Sequence, residues 1–485
     1  MKLSSGSRSF LRYGYGDLQK ENRRYSVVHR IWPGTLRLLL WGDPLTAAAH
    51  ARAFSFCGDD GVELMESLTF KGRRGSGIAG DRCAYADASL KPRWDWEKYQ
   101  YTLRVWGRSL YNPDRDPEVW QRVLRKQFGR GANEAELALA SATRILPIVT
   151  TAHLPSAANN NYWPEMYTNQ SLIDPRSKHP YGDTPSPKVF GNVSSLDPQL
   201  FLRINDFAGE LLKGDRSGKY TPIEVAQWIE DYAEAAEKNL ALADKQVRNT
   251  PEYQRMAVDL RIQIGLGRFF GAKFRSGVLY GIFEQSGDGR ALVECIKVYR
   301  RARKAWAELA ESARNVYQSD VTVGELTHLR GHWLDRLPAI DEDIALLQKK
   351  LEQTDSKVGK TDQADRVERC IQESLGKPRR NIIHCDHTPP SRFQAGQPLE
   401  IEVALRKSPH AVRLYYRHVN QGERFETALM ERNGNLFHAV IQAAYTNSPY
   451  PLQYYFASRD VSGNVSLHPG FTPDLTNQPY FVVRQ

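Results

Sequence analysis

The feature that most constrains the fold is a strand–helix–strand pattern near the beginning of the chain. Residues 35–43, TLRLLLWGD, form a short apolar run that ends in a carboxylate. A run of small residues follows, PLTAAAHARAFSFCG, and then a second apolar run at 61–68, GVELMESL. Strand, helix and strand in this order are the repeat unit of parallel α/β folds. The pattern therefore predicts two neighbouring parallel strands with a helix between them.

Three carboxylates, those of Asp43, Glu63 and Glu66, lie at the ends of these predicted strands. In (β/α)8 barrels the catalytic groups lie at the carboxyl ends of the strands. Cleavage of a glycosidic bond commonly uses two carboxylates, one as general acid and one as base or nucleophile. We therefore expect Asp43, Glu63 and Glu66 to be catalytic candidates. Asp43 also fits a helix N-cap, which is its structural alternative.

A glycine-rich segment, FKGRRGSG at 70–77, follows the second predicted strand. It lacks both the Gly-Lys-Ser/Thr end of a P-loop and the spacing of a dinucleotide site. After a barrel strand it is better interpreted as an active-site loop, in which Lys71 and Arg73 would bind an acidic sugar. The alternatives are ordinary solvated charge and an ion pair between Arg73 or Arg74 and a strand-end carboxylate.

Aromatic residues are concentrated in the same region. Trp94 and Trp96 flank Asp95, and Trp32 and Trp41 precede them. Sugar rings have apolar faces that stack on aromatic side chains, so Trp94 and Trp96 are candidates for substrate binding. Tryptophan is also a frequent core residue, and packing is the alternative for each.

A long loop at 155–196 interrupts the helical part of the sequence. Loops of this length inside a compact domain are usually functional or disordered, and the aromatic content favours order. The segment that contains Asn160, Trp163 and Glu165 combines an amide, a stacking surface and an acid. We expect these residues to line a glycan cleft or, alternatively, to pack the helices against the barrel.

Residues 197–352 predict an all-helical block with short, capped connections. Asp197-Pro198, Thr221-Pro222 and Thr250-Pro251 each combine an N-cap residue with a proline at the first helical position. Such a series of helices is typical of an antiparallel bundle. Residues 354–380 are polar and Lys-rich, which predicts a linker.

The last hundred residues change to an alternating apolar–polar pattern with Gly, Pro and Asn between the runs. Asn433-Gly434 predicts a hairpin turn between two of these runs. Six or seven short strands in this length predict an immunoglobulin-like β-sandwich. The predicted chain is thus multidomain α/β, all-α and all-β. Its parts are the C-terminal portion of a partial (β/α)8-type barrel (1–130), a helical domain (131–353), the linker (354–380) and the sandwich (381–485).

Composition excludes several classes of protein. No run approaches 18 apolar residues, so no membrane span is expected, and the first 30 residues have no apolar core of a secretory signal. The net charge is +10, but basic and acidic residues are interleaved without a nucleic-acid-binding motif. A mixed-charge surface explains this best, and an anionic polysaccharide partner is the alternative.

The sequence contains no recognisable metal-binding or cofactor-binding motif. The five cysteines are widely spaced and form neither a disulfide framework nor a metal pattern. His328 and His332 have helical i, i+4 spacing without the glutamate of an HExxH motif. No cofactor or metal is therefore expected.

The order of segments resembles the C-terminal half of large bacterial glycoside hydrolases of the α-glucuronidase and β-hexosaminidase-like barrel type. The likeness rests on the LLLWGDP run with Asp43, the GVELMES run with Glu63 and Glu66, and residues 94–114, WDWEKYQYTLRVWGRSLYNPD. Residues 454–470, YYFASRDVSGNVSLHPG, look like the accessory sandwiches of many carbohydrate-active enzymes. The first four or five barrel strands of that group have no counterpart here, so we expect an N-terminally incomplete chain.

The resemblance implies a glycoside hydrolase whose partner is an oligo- or polysaccharide, and an extracytoplasmic place for a full-length parent. The open edges of a partial barrel would need a cover, and a homo-oligomer is one way to provide it. The alternative from another class is a non-catalytic glycan-binding or scaffold protein, in which the helical block and the sandwich are the working parts.

Overall fold

The computed structural model describes residues 24–26, 28–31, 39–56, 60–64, 83–153, 164–173, 189–195, 197–321, 331–354, 361–378, 380, 384–406, 410–419 and 423–485. Within these ranges no helix is both long and apolar enough to cross a membrane. The fold has three parts: a small parallel α/β unit, a helical block, and two antiparallel sheets.

The α/β unit contains two parallel strands, Val28–Ile31 (β1) and Gly61–Leu64 (β2), with the helix Pro44–Phe56 (α1) between them in the chain. A strand–helix–strand order is therefore present, but its first strand is Val28–Ile31 and not the run 35–43 that was expected. Residues 39–43 of that run are not in a strand, so Asp43 does not end one, and 35–38 lie outside the described residues. The rest of the predicted barrel stays a prediction.

The helices of ten or more residues that follow in the described ranges form most of the protein. They are Gln100–Tyr111 (α2), Glu118–Phe128 (α3), Ala132–Ala152 (α4), Ile204–Lys213 (α5), Pro222–Asp244 (α6), Pro251–Ser286 (α7), Gly289–Ala313 (α8), Leu337–Glu352 (α9) and Thr361–Leu375 (α10).

Capping residues set where several of these helices begin. Thr221 accepts a hydrogen bond from the backbone of Glu224, and the Glu224 carboxylate accepts one from the backbone of Thr221, so α6 starts with a capping box. Thr250 caps α7 in the same way, but without the reciprocal carboxylate. The expected start at Asp197-Pro198 is wrong: a turn follows there, and α5 begins only at Ile204.

Helix α7 is the centre of the helical block. It is buried on nearly all sides by α4, α5, α6 and α8, and its buried residues include charged and polar side chains, such as Asp259, Lys273 and Arg275, as well as apolar ones. Glycines let α6 approach it closely: a Cβ at Gly267 would lie 2.8 Å from the Cβ of Ala233, and one at Gly271 would lie 2.6 Å from Cγ of Glu230.

The segment expected to be a linker, 354–380, contains helix α10, and this prediction is corrected. Val367, Cys370 and Ile371 share one face of α10 and are buried in the main core. The polar character of the segment comes from the other face, which is exposed. A helix with an apolar stripe this narrow is easily mistaken for a polar linker.

The C-terminal part forms two antiparallel sheets. One has the order β10-β9-β5-β6, with β11 also paired to β9, and the other has the order β3-β4-β8-β7. The strands are Cys385–Asp386 (β3), Leu399–Leu405 (β4), Ala411–His418 (β5), Glu426–Leu429 (β6), Glu431–Asn433 (β7), Leu436–Ile441 (β8), Leu452–Arg459 (β9), Val465–His468 (β10) and Phe481–Val483 (β11). The two sheets share one core, which includes Ile401, Leu414, Phe437 and Tyr454.

The predicted hairpin is present, because Asn433 pairs with Leu436 around a turn in which Gly434 has a φ of 62°. An antiparallel two-sheet region therefore agrees with the expected sandwich, and its immunoglobulin-like topology stays a prediction.

The sheets are joined to the helical block by direct contacts. Arg417 of β5 forms a buried ion pair with Asp197 at 2.9 Å. The backbone N–H of Phe471 donates to the hydroxyl of Tyr220 at 2.7 Å, and its ring packs on Tyr220 and Trp228. These contacts hold the two parts together over a continuous surface.

Candidate functional site

The carboxyl ends of β1 and β2 lie next to each other. The strand register pairs Arg30 with Glu63 and Ile31 with Leu64, so both strands end at the same edge of the sheet. Glu63 is exposed and is one residue from that edge. Glu66, Lys71 and Arg73 follow in the chain and lie outside the described residues.

Asp43 has the structural role that its position before a proline suggested. Its carboxylate is fully buried and accepts hydrogen bonds from the backbone N–H of Leu45 at 3.1 Å and of Thr46 at 3.3 Å, which caps α1. It also forms a two-point ion pair with Arg144, at 2.6 Å and 3.0 Å. Because all of these bonds serve packing, the geometry favours the N-cap alternative over catalysis.

Arg144 of α4 connects three parts of the protein, and nothing in the sequence pattern indicated this. Besides Asp43, it donates to the hydroxyl of Tyr232 at 2.9 Å and to the carbonyl of Asp474 at 3.1 Å. Burial acts to lower the pKa of Arg144, but the hydrogen bonds and charge of Asp43 raise it above the ordinary value. This guanidinium therefore stays charged and fixes the α/β unit against the helical block and the C-terminal region.

Trp94 and Trp96 lie on the surface immediately before α2. Their exposed fractions are 56% and 45%, which is unusual for tryptophan. The guanidinium of Arg93 lies 5.7 Å from the centre of the Trp94 ring. Trp41 is different, since it is buried with its ring 4.3 Å from that of Trp106. Trp94 and Trp96 are therefore accessible from solvent, whereas Trp41 is a core residue.

Glu165 lies in the short helical turn Pro164–Tyr167 and is buried. One carboxylate oxygen accepts a hydrogen bond from the indole N–H of Trp333 at 3.1 Å. This contact favours the packing alternative for Glu165. Asn160 and Trp163, the other candidates from the same loop, lie outside the described residues.

A buried polar cluster lies between α7, α8 and α9, next to the segment 168–172. Its centre is Asp343, which accepts hydrogen bonds from the hydroxyl of Tyr299 at 2.8 Å, the hydroxyl of Ser171 at 2.5 Å and the N–H of Leu172 at 3.0 Å. Lys273 of α7 donates to the carbonyl of Gln170 at 2.5 Å and to the hydroxyl of Tyr299 at 3.3 Å.

Burial changes the acid–base properties of this cluster. It lowers the pKa of Lys273 to about 7, and the charge of Asp343 opposes this shift only in part. Burial also lowers the pKa of the neighbouring His153 well below its ordinary value, and the charge of Lys273 adds to the effect. Shifts of this kind occur both in active sites and in structural networks.

A second buried cluster holds the segment around Leu40 against α7. Asp259 pairs with Lys98 at 3.0 Å and accepts from the N–H of Leu40 at 3.0 Å, while Lys98 also donates to the hydroxyl of Tyr317 at 2.9 Å. Burial raises the pKa of Asp259 and lowers that of Lys98, and their mutual attraction acts against both shifts. Sequence patterns missed this pair because its members are 161 positions apart.

Within the described ranges, no three His, Cys, Asp or Glu side chains are grouped so that they could hold a metal ion. His332 instead caps a helical turn, since its Nδ1 accepts from the N–H of Leu334 at 3.2 Å.

Comparison with known proteins gives a structural likeness without a sequence relative. No protein-family model matches the chain, and no curated protein matches it. Among solved structures, the chain is similar to a GH138 enzyme that targets pectin rhamnogalacturonan II, with a TM-score of 0.53 and 13% sequence identity. The match covers 68% of this chain and 48% of that enzyme, so the chain spans about half the length of the protein it resembles. The likeness establishes a fold shared at a coarse level with this glycoside hydrolase.

Proposed function

We propose that this chain is a carbohydrate-active protein of the glycoside hydrolase type, with an acidic glycan as its substrate. The observation that carries the proposal is the fold likeness to a GH138 enzyme that targets pectin rhamnogalacturonan II, which extends over 68% of the chain. The expectation from the sequence points to the same class, and it was made from different features: the strand-end acids and the tryptophans.

In this proposal the carboxyl edge of β1 and β2 is the reactive edge. Glu63 is exposed there, and Glu66 follows three residues later. The two glutamates are the candidates for the acid and the nucleophile or base. Lys71 and Arg73 would bind the carboxylate of an acidic sugar, and Trp94 and Trp96 would stack on sugar rings.

Hydrolysis can be tested on the full chain with a panel of aryl glycosides, including uronides, and with acidic pectin fragments. Glu63→Gln and Glu66→Gln should each lower kcat by roughly a hundredfold or more if the residue transfers a proton or forms the intermediate. Glu118→Gln is the matched control, because Glu118 is a half-exposed acid on α3 whose partner is Arg125. Unchanged rates in both site variants would remove these glutamates from the mechanism.

The second candidate function is glycan binding without catalysis. The observation that favours it is the exposed pair Trp94 and Trp96, since stacking needs no acid pair. Trp94→Ala and Trp96→Ala should each weaken binding of oligosaccharides by roughly two- to tenfold, as isothermal titration calorimetry would measure. Tyr111→Ala is the control, because Tyr111 is 91% exposed at the far end of α2. Binding without hydrolysis across the whole panel would favour this second function.

A further inference from the structure

A groove on the helical block carries charge that the proposed reactive edge does not use. It is formed by α6, α7, α8 and the end of α10, and its volume is about 600 Å³. Volumes in this range are typical of sites for small ligands and short oligomers. Its basic lining residues are Arg268, Arg275, Arg301, Lys304 and Lys377, and its acidic ones are Glu230 and Glu308.

One of the basic residues is committed to structure. Arg275 is buried and makes a two-point ion pair with Glu230, with both distances 2.8 Å. Its Nη1 donates to the carbonyls of Ser374 and Gly376, which fixes the end of α10, and its Nη2 also donates to the amide oxygen of Gln227. Arg275 and Glu230 therefore neutralise each other and define one wall of the groove.

The other cations leave the groove positive. Lys304 reaches Glu308 only at 3.8 Å, and both side chains are more than half exposed, so this pair is weak. Arg268 pairs with Glu237, which does not line the groove. Arg301 and Lys377 have no ion-pair partner among the described residues, and both are exposed.

The groove continues in both directions along the surface. Lys377 also lines a depression of about 410 Å³ that reaches Arg216 and Lys219. At the other end, Arg268 and Glu308 also line a depression of about 290 Å³. These neighbouring depressions share lining residues with the groove, and we call the row of three the trough, a shape that suits an extended chain better than a single small anion. Carboxylates line both adjoining depressions, so the positive charge is concentrated in the central groove.

We propose that this trough binds a stretch of an acidic oligosaccharide, with uronate carboxylates at Arg301 and Lys377. This site is separate from the reactive edge of β1 and β2, and the inference rests on the proposed function for its ligand class. Glu308 lines the same groove and supplies a carboxylate for sugar hydroxyls, whereas both ends of the Gln227 amide are bonded, to Arg275 and Asp231. No aromatic side chain lines the central groove, and Phe207, which lines the adjoining depression, is buried, whereas single-stranded nucleic acids are bound by stacking on exposed aromatic residues.

The test measures the binding of a purified oligogalacturonide to the full chain by isothermal titration calorimetry at low salt. Arg301→Glu with Lys377→Glu should weaken binding at least tenfold, because two attractive contacts become repulsive. The matched control is Arg300→Glu with Lys238→Glu. These two residues are also exposed, they change the net charge equally, and neither lines the trough.

A selective loss in the groove variant, together with weak binding of the carboxyl-reduced oligomer, supports the site. An equal loss in both double variants would overturn it, because the effect would then come from overall charge. Tighter binding of a polyphosphate of matched charge, or no binding of the oligogalacturonide by the unmodified chain, would also overturn it. Aryl-glycoside hydrolysis, measured on the same variants, reports on the proposed function separately, since these small substrates need no contact with the trough.

Discussion

At the residue scale, Lys273 has an environment that is unusual for a lysine. It is fully buried on α7, and its ammonium group lies against amide, carbonyl and hydroxyl oxygens. Burial lowers its pKa from 10.5 to about 7. Below about pH 7 Lys273 is protonated in both the folded and the unfolded chain. Folding must then bury the charge, and the whole free-energy penalty of burying it is present. Between pH 7 and 10.5 the unfolded chain holds more protons than the folded chain, so stability rises with pH.

We therefore expect the stability difference between the unmodified chain and Lys273→Met to depend on pH. The free energy of unfolding of the unmodified chain, relative to the variant, should rise by on the order of 2 kcal/mol between pH 6 and pH 9. Urea unfolding at each pH measures this. Lys238→Met is the control, because it removes the charge of an exposed lysine from the helical block by the same substitution.

Residues such as Asp43 show how far the sequence determines a site. The position of Asp43 before a proline indicated a helix cap as well as an acid, and the cap could be predicted because it is local. Its partner Arg144 is 101 positions away, so no local pattern could indicate the ion pair. The same reason explains why the pairing of Asp259 with Lys98 was not predicted.

At the element scale, α10 shows that a mostly polar segment can still form a helix that packs on the core. Val367, Cys370 and Ile371 recur at helical spacing on the buried face, but the intervening residues are mostly charged. Strand β1 was missed for a related reason: Val28–Ile31 is only four residues long and contains a histidine and an arginine. The helices that begin at Thr221-Pro222 and Thr250-Pro251 and the strands with regular alternation were predicted, because those signals are local, whereas the same signal at Asp197-Pro198 precedes only a turn.

Helix α10 should therefore be a stable part of the fold. Ile371→Ala removes a buried side chain and should lower the free energy of unfolding by roughly 2–4 kcal/mol. Arg369→Ala, on the exposed face, should change it by less than about 0.5 kcal/mol. Denaturant unfolding gives both values, and limited proteolysis adds a direct comparison. Rapid cleavage within 361–375 of the native protein would show that the segment behaves as the linker first expected.

At the scale of the whole molecule, the contacts between the sheets and the helices decide whether they behave as separate units. The ring of Phe471 packs on Phe201, Tyr220 and Trp228 of the helical block, with ring centres 4.9–6.1 Å apart. Arg417 adds a buried ion pair across the same boundary. The domain boundary at 381 stays a prediction from composition, and the physical connection across it is a packed surface with many polar contacts.

This packing predicts that local stability is shared across the boundary. Phe471→Ala should increase amide hydrogen exchange both in the strands near Phe471 and in the helical block around Tyr220 and Trp228, because the lost contacts support both sides. Phe437→Ala removes a core residue of the sheets that is not at the boundary, and should increase exchange in the sheets alone. Hydrogen exchange with mass spectrometry resolves the two regions. If exchange in the helical block does not respond to Phe471→Ala, then the sheets and the helices are stable independently. The contacts between them would then fix their relative position without stabilising either part.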